Sequence, residues 1–204
     1  MSATKSPLKK WDEAYKNADI ATVKPAQVLS ENAHLLPSSL LQSSNALDLA
    51  CGRAGNAIFL AEQGFNVDAV DISPKVLESL EVFIKQQSLS ISCECRDIET
   101  KGLSDKKYDV IVVSYFLNRE LFAQIINALK PNGLLFYETW SQEKVDDSGP
   151  SNPDYRLKAG ELLELSQTLR LLFYREEGKQ GNTSKGTRNV AMLVAKHTPP
   201  LLHD

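Results

Sequence analysis

The feature that most restricts this chain is an alternation. Between residues 46 and 140, five short apolar runs are separated by segments that read as helices or turns. Strands that alternate with helical patterns form a mainly parallel sheet, because a parallel pair needs a crossover connection and a helix supplies it. The first run, 46–51, precedes a helical pattern over 54–63 that Gly64 is placed to end as a left-handed cap. The second, 65–70, leads to Ser73, a predicted N-cap, and Pro74 at the first helical position. Val76, Leu77, Leu80, Phe83 and Ile84 then recur at helical spacing. In the third run, Ile91, Cys93 and Cys95 alternate with polar residues, so one face is more buried than the other. The fourth, Asp109-Val110-Ile111-Val112-Val113, is a branched run of the kind found in central strands covered on both faces. Asn118 is positioned to cap a helix bearing Leu121, Phe122, Ile125, Ile126 and Leu129, with a stop predicted at 130–133 and a fifth strand over 134–140.

The flanks differ in character. Residues 141–158 are polar and rich in turn formers, and a loop of that length in a small domain is either functional or disordered. A short helix over 160–165 follows, then two strand patterns, 169–175 and 188–196, around EEGKQGNTSKGT, as in a β-hairpin. Before residue 45, one helix carries Trp11, Ala14 and Tyr15, and another spans 25–36. With 204 residues and 42% hydrophobic content, one domain over 1–204 is expected. Its parts are a helical segment at 1–44, a core at 45–140, a loop at 141–158, and a helix with hairpin at 159–196.

Charge narrows the partners. The 23 basic and 26 acidic residues leave a net charge of −3, so no global positive field draws the chain to nucleic acid or an anionic membrane. Three cysteines, Cys51, Cys93 and Cys95, form no pair of metal-ligand doublets and fit a reducing compartment; no metal site is expected. The first residues lack an apolar signal core, and no stretch approaches the ~20 apolar residues that span a bilayer. A soluble cytoplasmic protein is expected, with its oligomeric state left open.

The candidate site starts at DLACGRAGNA, residues 48–57, where Gly52 and Gly55 turn the chain from an apparent strand into an apparent helix. Alone, this is as much an ordinary turn as a ligand loop. Asp71, nineteen positions after Gly52 at the end of the next strand, shifts the balance, because a carboxylate there accepts both hydroxyls of a ribose. Asp97 ends the third strand in the same way. A dinucleotide is disfavoured: the G-x-G-x-x-G fingerprint would need a first glycine where Ala50 stands. Cys51 lacks a neighbouring base, since His34, His197 and His203 lie outside every motif, so it reads as small lining.

DLACGRAGNA, followed in order by VDAVDIS, CRDIE, YDVIVVSYFL and LKPNGLLFYETW, resembles the motif series of class I S-adenosylmethionine-dependent methyltransferases. The chain is most similar to bacterial small-molecule methyltransferases of the tellurite-resistance-like type, which also open with a W-D-x-x-Y helix, here Trp11 to Tyr15. The resemblance implies a Rossmann-like three-layer α/β/α sandwich. Its seven-stranded sheet has the order 3-2-1-4-5-7-6, with strand 7 antiparallel. S-adenosylmethionine is the implied cofactor and S-adenosylhomocysteine the product. Asp48, Ala50, Gly52 and Gly55 match the loop around the cofactor's methionine portion; Asp71 matches the ribose ligand, with Ile72 against the adenine. Asp97 matches the acceptor from the adenine amino group, beside the backbone of Ile98. Cys51, Asn56, Ser73 and Glu99 fall in the same lining. Ser114 and Tyr115 match the strand end near the sulfonium, and Trp11 and Tyr15 a lid helix.

On the acceptor side the candidates are Tyr115, Asn118, Arg119, residues 138–140 and the loop that follows. Asn118 reads as a cap or as the position where related sequences carry a histidine. Arg119 orients an anionic acceptor or is a solvated first-turn residue. Methyl transfer from a sulfonium starts from an activated leaving group, so holding the acceptor aligned supplies much of the rate, and a base is needed only when the acceptor loses a proton. The expected function is methylation of a small molecule. A cofactor-binding regulatory protein without turnover is the second reading, and a nicotinamide-dependent oxidoreductase the third. The N-P-P-Y motif of amino-methylating DNA enzymes is absent.

Overall fold

The apolar runs become the strands of one sheet in a computed structural model that describes residues 6–16, 20–37 and 44–198. Parts of the expected N-terminal segment, 1–5, 17–19 and 38–43, lie outside the described residues, as does His203. The strands are β1 (Asn45–Leu49), β2 (Asn66–Asp71), β3 (Ile91–Cys95), β4 (Tyr108–Ser114), β5 (Leu129–Trp140), β6 (Arg170–Glu176) and β7 (Val190–Lys196). Their order is β3-β2-β1-β4-β5-β7-β6, and β7 runs antiparallel to both neighbours while the other pairs are parallel. Both the order and the single antiparallel strand agree with the sequence expectation.

Around the sheet lie α1 (Pro7–Ala14), α2 (Gln27–Glu31), α3 (Gly55–Glu62), α4 (Pro74–Gln87), α5 (Ile98–Lys101), α6 (Phe122–Asn127) and α7 (Glu161–Leu165). Period-two alternation divides the core. Ala46, Val110, Val112, Leu134, Phe136, Met192 and Val194 face one way, towards α2, α3 and α4. Leu47, Leu49, Ile111, Val113, Leu135, Tyr137 and Leu193 face the other, towards Ile98, Phe122, Ile125 and Leu162. Val110 to Val113 are all 0% exposed, as a strand buried on both faces requires. No helix among the described residues is long and apolar enough to cross a membrane.

Four expectations need correction. The helix placed over residues 121–129 is a 3-10 turn (Arg119–Leu121) plus the short α6, and Leu129 already belongs to β5, pairing with Tyr108 across a register shift. Gly133 allows that doubled entry, because a Cβ there would stand 3.0 Å from the carbonyls of Lys130 and Tyr108. The helix expected over 54–63 starts at Gly55, since Ala54 takes a left-handed φ of 60°. The helix expected over 25–36 divides into α2 and a 3-10 turn, Ala33–Leu35. Ser73 occupies the N-cap position of α4 without a capping bond; its hydroxyl donates instead to Asp12 Oδ1 at 2.6 Å.

Candidate active site

Reversal of strand order between β1 and β4 opens a crevice at the strands' carboxyl ends, the usual ligand position in such sheets. Asp48 on β1 points its side chain towards α3, where its Oδ2 accepts from the Ala57 amide at 3.0 Å and its Oδ1 from Asn56 Nδ2 at 3.1 Å. It is wholly buried, and burial pushes its carboxyl up to about 7 despite the two donors that pull it down. After β1 the chain takes left-handed φ at alternate residues, Ala50 (54°), Gly52 (52°) and Ala54 (60°), which coils the loop tightly enough to aim the amide of Gly52 at Asp71. Ala50, whose side chain counted against a dinucleotide, thus adopts the backbone conformation a glycine would.

Asp71 ends β2 with both oxygens oriented by backbone donors: Gly52 N to Oδ2 and Ser73 N to Oδ1, each 2.9 Å. It is 6% exposed and forms no ion pair among the described residues; burial raises its pKa, the Ser73 and Gly52 amides oppose that rise, and nearby Asp12 adds to it. A carboxylate has about four acceptor positions, so two amides leave room for further donors. Ile72 beside it is half-buried. Asp97 caps α5, accepting from Glu99 N at 3.2 Å, with Ile98 buried behind it. Glu99 crosses the crevice to accept from Asn118 Nδ2 at 3.3 Å.

The N-terminal segment closes over this loop. Tyr15 rests on it, since a Cβ on Gly52 would stand 2.8 Å from the tyrosine oxygen, and Trp11 stacks on Tyr15 at 5.7 Å. A Cβ on Gly55 would collide with the Lys24 carbonyl, so Gly55 serves close passage of the residue 20–26 segment. Asn56 binds three partners: its Oδ1 accepts from Ala26 N at 2.8 Å, and its Nδ2 donates to Asp48 and, at 3.0 Å, to Ser114 Oγ. Cys51 is buried, and its thiol is pushed well up by burial and by Asp48 and Asp71, the opposite of an activated nucleophile.

The far side is built differently. Tyr115, next to Ser114, has a left-handed φ of 55° and is 49% exposed, its ring tilted on Trp140 at 4.9 Å. Glu138, across the strand pair from it, is 1% exposed and accepts from Val28 N at 2.7 Å, holding the start of α2. Burial is the main cause that raises the pKa of both Tyr115 and Glu138.

Asn118 is a cap: its Oδ1 accepts from the amides of Glu120 and Leu121. Arg119 is engaged by the protein itself: its guanidinium, 35% exposed, binds both oxygens of Glu161 (2.5 and 2.9 Å) and the carbonyls of Asp154 (2.7 Å) and Arg156 (3.0 Å). Arg156, 3% exposed, donates to the carbonyls of Pro150 (2.7 Å), Ser141 (2.8 Å) and Ser148, and its guanidinium carbon lies 5.7 Å from the centre of Trp140. Asn189 completes the fastening, accepting from Val145 N at 2.6 Å and donating to Asp146 and Ser148. Residues 141–158 are thereby fastened by side-chain bonds from Arg156 and Asn189. Sequence reasoning passed over Arg156, Asn189 and the Val28 amide, because an arginine in a polar loop carries no mark that distinguishes it from a solvated one.

Comparison with known proteins accords with this geometry. Residues 46–133 match the family model described as a methyltransferase domain. A putative methyltransferase, YqeM of Bacillus subtilis, is 30% identical over 128 residues, covering 57% of this chain and 51% of that protein. The ubiquinone biosynthesis O-methyltransferase of Rickettsia akari is 32% identical over 109 residues, covering 51% of this chain and 43% of its own. The chain thus spans about half the length of these curated relatives. TehB from Haemophilus influenzae superposes with a TM-score of 0.68 at 21% identity over 92% of this chain and 67% of that one. The protein has the class I S-adenosylmethionine-dependent methyltransferase fold. Within it, residues 46–133 are the part similar to the methyltransferase-domain family.

The cofactor of that family is S-adenosylmethionine, and three features of this crevice fit it. Asp71 is a buried, pre-oriented carboxylate with unused acceptor positions suited to a diol. Gly52 itself brings no side chain to the loop, and Tyr15 covers it. The carboxylates of Asp12, Asp48 and Asp71 together favour a cationic ligand.

Proposed function

We propose that this protein transfers the methyl group of S-adenosylmethionine to a small-molecule acceptor. The observation that carries the proposal is the pre-oriented Asp71 carboxylate at the β1–β4 crevice, beside the Gly52 loop. In this reading Asp71 holds the ribose, with Ile72 and Ile98 against the adenine. Asp97 and Glu99 line the adenine end. Asp48, Ala50, Cys51, Gly52, Gly55, Asn56 and Ser73 surround the methionine end, and Trp11 and Tyr15 cover it. The bound cofactor supplies an activated methyl group; the protein's own task is to hold an acceptor in line, dry and close.

Tyr115, Trp140 and the arginine-fastened residues 141–158 form the acceptor side. A relative named as an O-methyltransferase of ubiquinone biosynthesis supports a small acceptor over a nucleic acid. Three cysteines without disulfides suit a cytoplasmic location. S-adenosylhomocysteine at ~100 times its Kd is expected to stabilise the fold by about 2.7 kcal/mol in thermal unfolding. A rise with NAD and none with S-adenosylhomocysteine would reverse the assignment. Tight binding without transfer of labelled methyl to any component of a cell extract would leave a binding protein in its place.

A further inference from the structure

The helix α1 buries none of its eight residues. Leu8 and Trp11 are exposed with the rest, and Asp12 alone is half-buried. The face it turns to the protein is therefore led by a carboxylate rather than by an apolar stripe. A helix this short is marginal by itself and is ordinarily held by an apolar face, which α1 does not bury. Its ties to the crevice are specific instead. Asp12 Oδ1 accepts from Ser73 Oγ at 2.6 Å, across 61 positions of sequence. Tyr15, at the helix end, rests against Gly52, and Trp11 stacks on Tyr15.

Ser73 is 0% exposed and stands at the N-cap position of α4, where a serine ordinarily bonds the free amides of its own helix. Its hydroxyl makes the distant bond to Asp12 in place of that local one. Its amide donates to Asp71 Oδ1 at 2.9 Å. One residue thus orients the proposed ribose carboxylate and holds the helix that lies over the Gly52 loop.

We propose that the Asp12–Ser73 hydrogen bond is a latch, which fastens α1 as a lid over bound S-adenosylmethionine and slows the cofactor's departure. The inference rests on the methyltransferase reading given above. Asp12 is a positioning residue, acting through Ser73 and α1 rather than on the reacting atoms. With no side chain fully buried, α1 opens at low cost, as passage of a ligand beneath Tyr15 requires. A charged hydrogen bond from a fully buried donor is strong enough to set the residence of what lies under the closed helix. Linkage makes the effect mutual, so a lid that retains the ligand is itself retained by it.

S-adenosylhomocysteine is the probe, because it lacks the sulfonium charge and reports the latch apart from electrostatic attraction. Its dissociation rate, followed by stopped-flow displacement, is expected to rise about 10-fold in Asp12→Ala and in Ser73→Ala, with the association rate unchanged. Ser73→Ala keeps the amide that orients Asp71. The double variant is expected to release the ligand no faster than either single one, since both remove the same bond. Asp12→Asn, which keeps an oxygen to accept from Ser73, is expected to stay at the wild-type rate. In the wild type, the probe should slow tryptic cleavage after Lys9 and Lys10, both exposed on α1. The latch is overturned if the single variants release the probe at the wild-type rate, or if their effects multiply in the double variant. It is overturned equally if Asp12→Asn dissociates as fast as Asp12→Ala, or if the probe leaves cleavage of the wild type unchanged. A wild type that does not bind S-adenosylhomocysteine in calorimetry would remove the methyltransferase reading itself, and the latch with it.

Discussion

The two sides of the crevice solve the same problem with opposite polarity. On the cofactor side, the carboxylates of Asp48, Asp71 and Asp97 collect backbone amides, from Ala57, from Gly52 and Ser73, and from Glu99. On the acceptor side, the guanidinium groups of Arg156 and Arg119 collect backbone carbonyls, from Ser141, Ser148, Pro150, Asp154 and Arg156 itself. Amides at strand ends and helix starts are left over by regular structure, so a carboxylate placed there orders a short turn. Carbonyls of an irregular loop have no ladder to join, and a five-donor guanidinium gathers several at once. One side is thereby a fixed anionic cradle, the other a loop fastened from inside.

The difference can be broken by substitution. Arg156→Ala is expected to have the largest effect, about 3 kcal/mol of stability lost in denaturant unfolding, as buried carbonyls lose charged donors. Cleavage within residues 141–158 under limited proteolysis should rise, with S-adenosylhomocysteine affinity unchanged. An affinity loss as large as that caused by Asp71→Ala would show that the two sides are not independent. Asp71→Ala itself should reduce that affinity about 10- to 100-fold, from the ~1.5–3 kcal/mol of charged hydrogen bonds, without unfolding the protein. Unchanged binding by calorimetry would remove its ribose role.

Asp48 sharpens the comparison through pH. Its folded pKa, near 7, lies above its ordinary value of 3.8, so the folded state binds the proton more tightly. Its contribution to stability is fully present below pH 3.8 and is lost as pH rises to about 7. Unfolding at successive pH values should show that decline in the wild type and not in Asp48→Asn; equal slopes would mean another group is responsible. Ala50→Gly relieves a left-handed alanine and should stabilise by about 1 kcal/mol or less, measured as a small rise in Tm. Cys51→Ser should leave S-adenosylhomocysteine binding and labelled-methyl transfer intact. Loss of transfer with intact binding would restore a nucleophile.

The comparison also explains what could be read from the sequence. The strands were readable because they have period two and polar residues mark their ends, where Gly52, Asp71 and Asp97 fall, whereas the sheet order came from the family resemblance. Helix boundaries near residues 54 and 129 were missed where a left-handed alanine and a doubled strand entry override local propensity. The need for glycine at position 55 has a source that no local window shows, since a Cβ there would meet the carbonyl of Lys24, thirty-one positions upstream. The partners of Arg119 and Arg156 were out of reach for a different reason: a solvated arginine and one bonded within the protein have the same letter and the same polar neighbours. Only the loop's folded path distinguishes them.

The hydrogen bond from Val28 to Glu138 joins residues 110 positions apart, and that from Ala26 to Asn56 joins residues 30 apart. Contacts of such separation close long chain loops and are entropically late. These separations predict that the start of α2 docks after β4 and β5 have paired, so that assembly runs from sheet to crevice cover. Pulse-labelled hydrogen exchange should find the Val28 amide protected after those of β1 and β4; earlier protection would reverse that order.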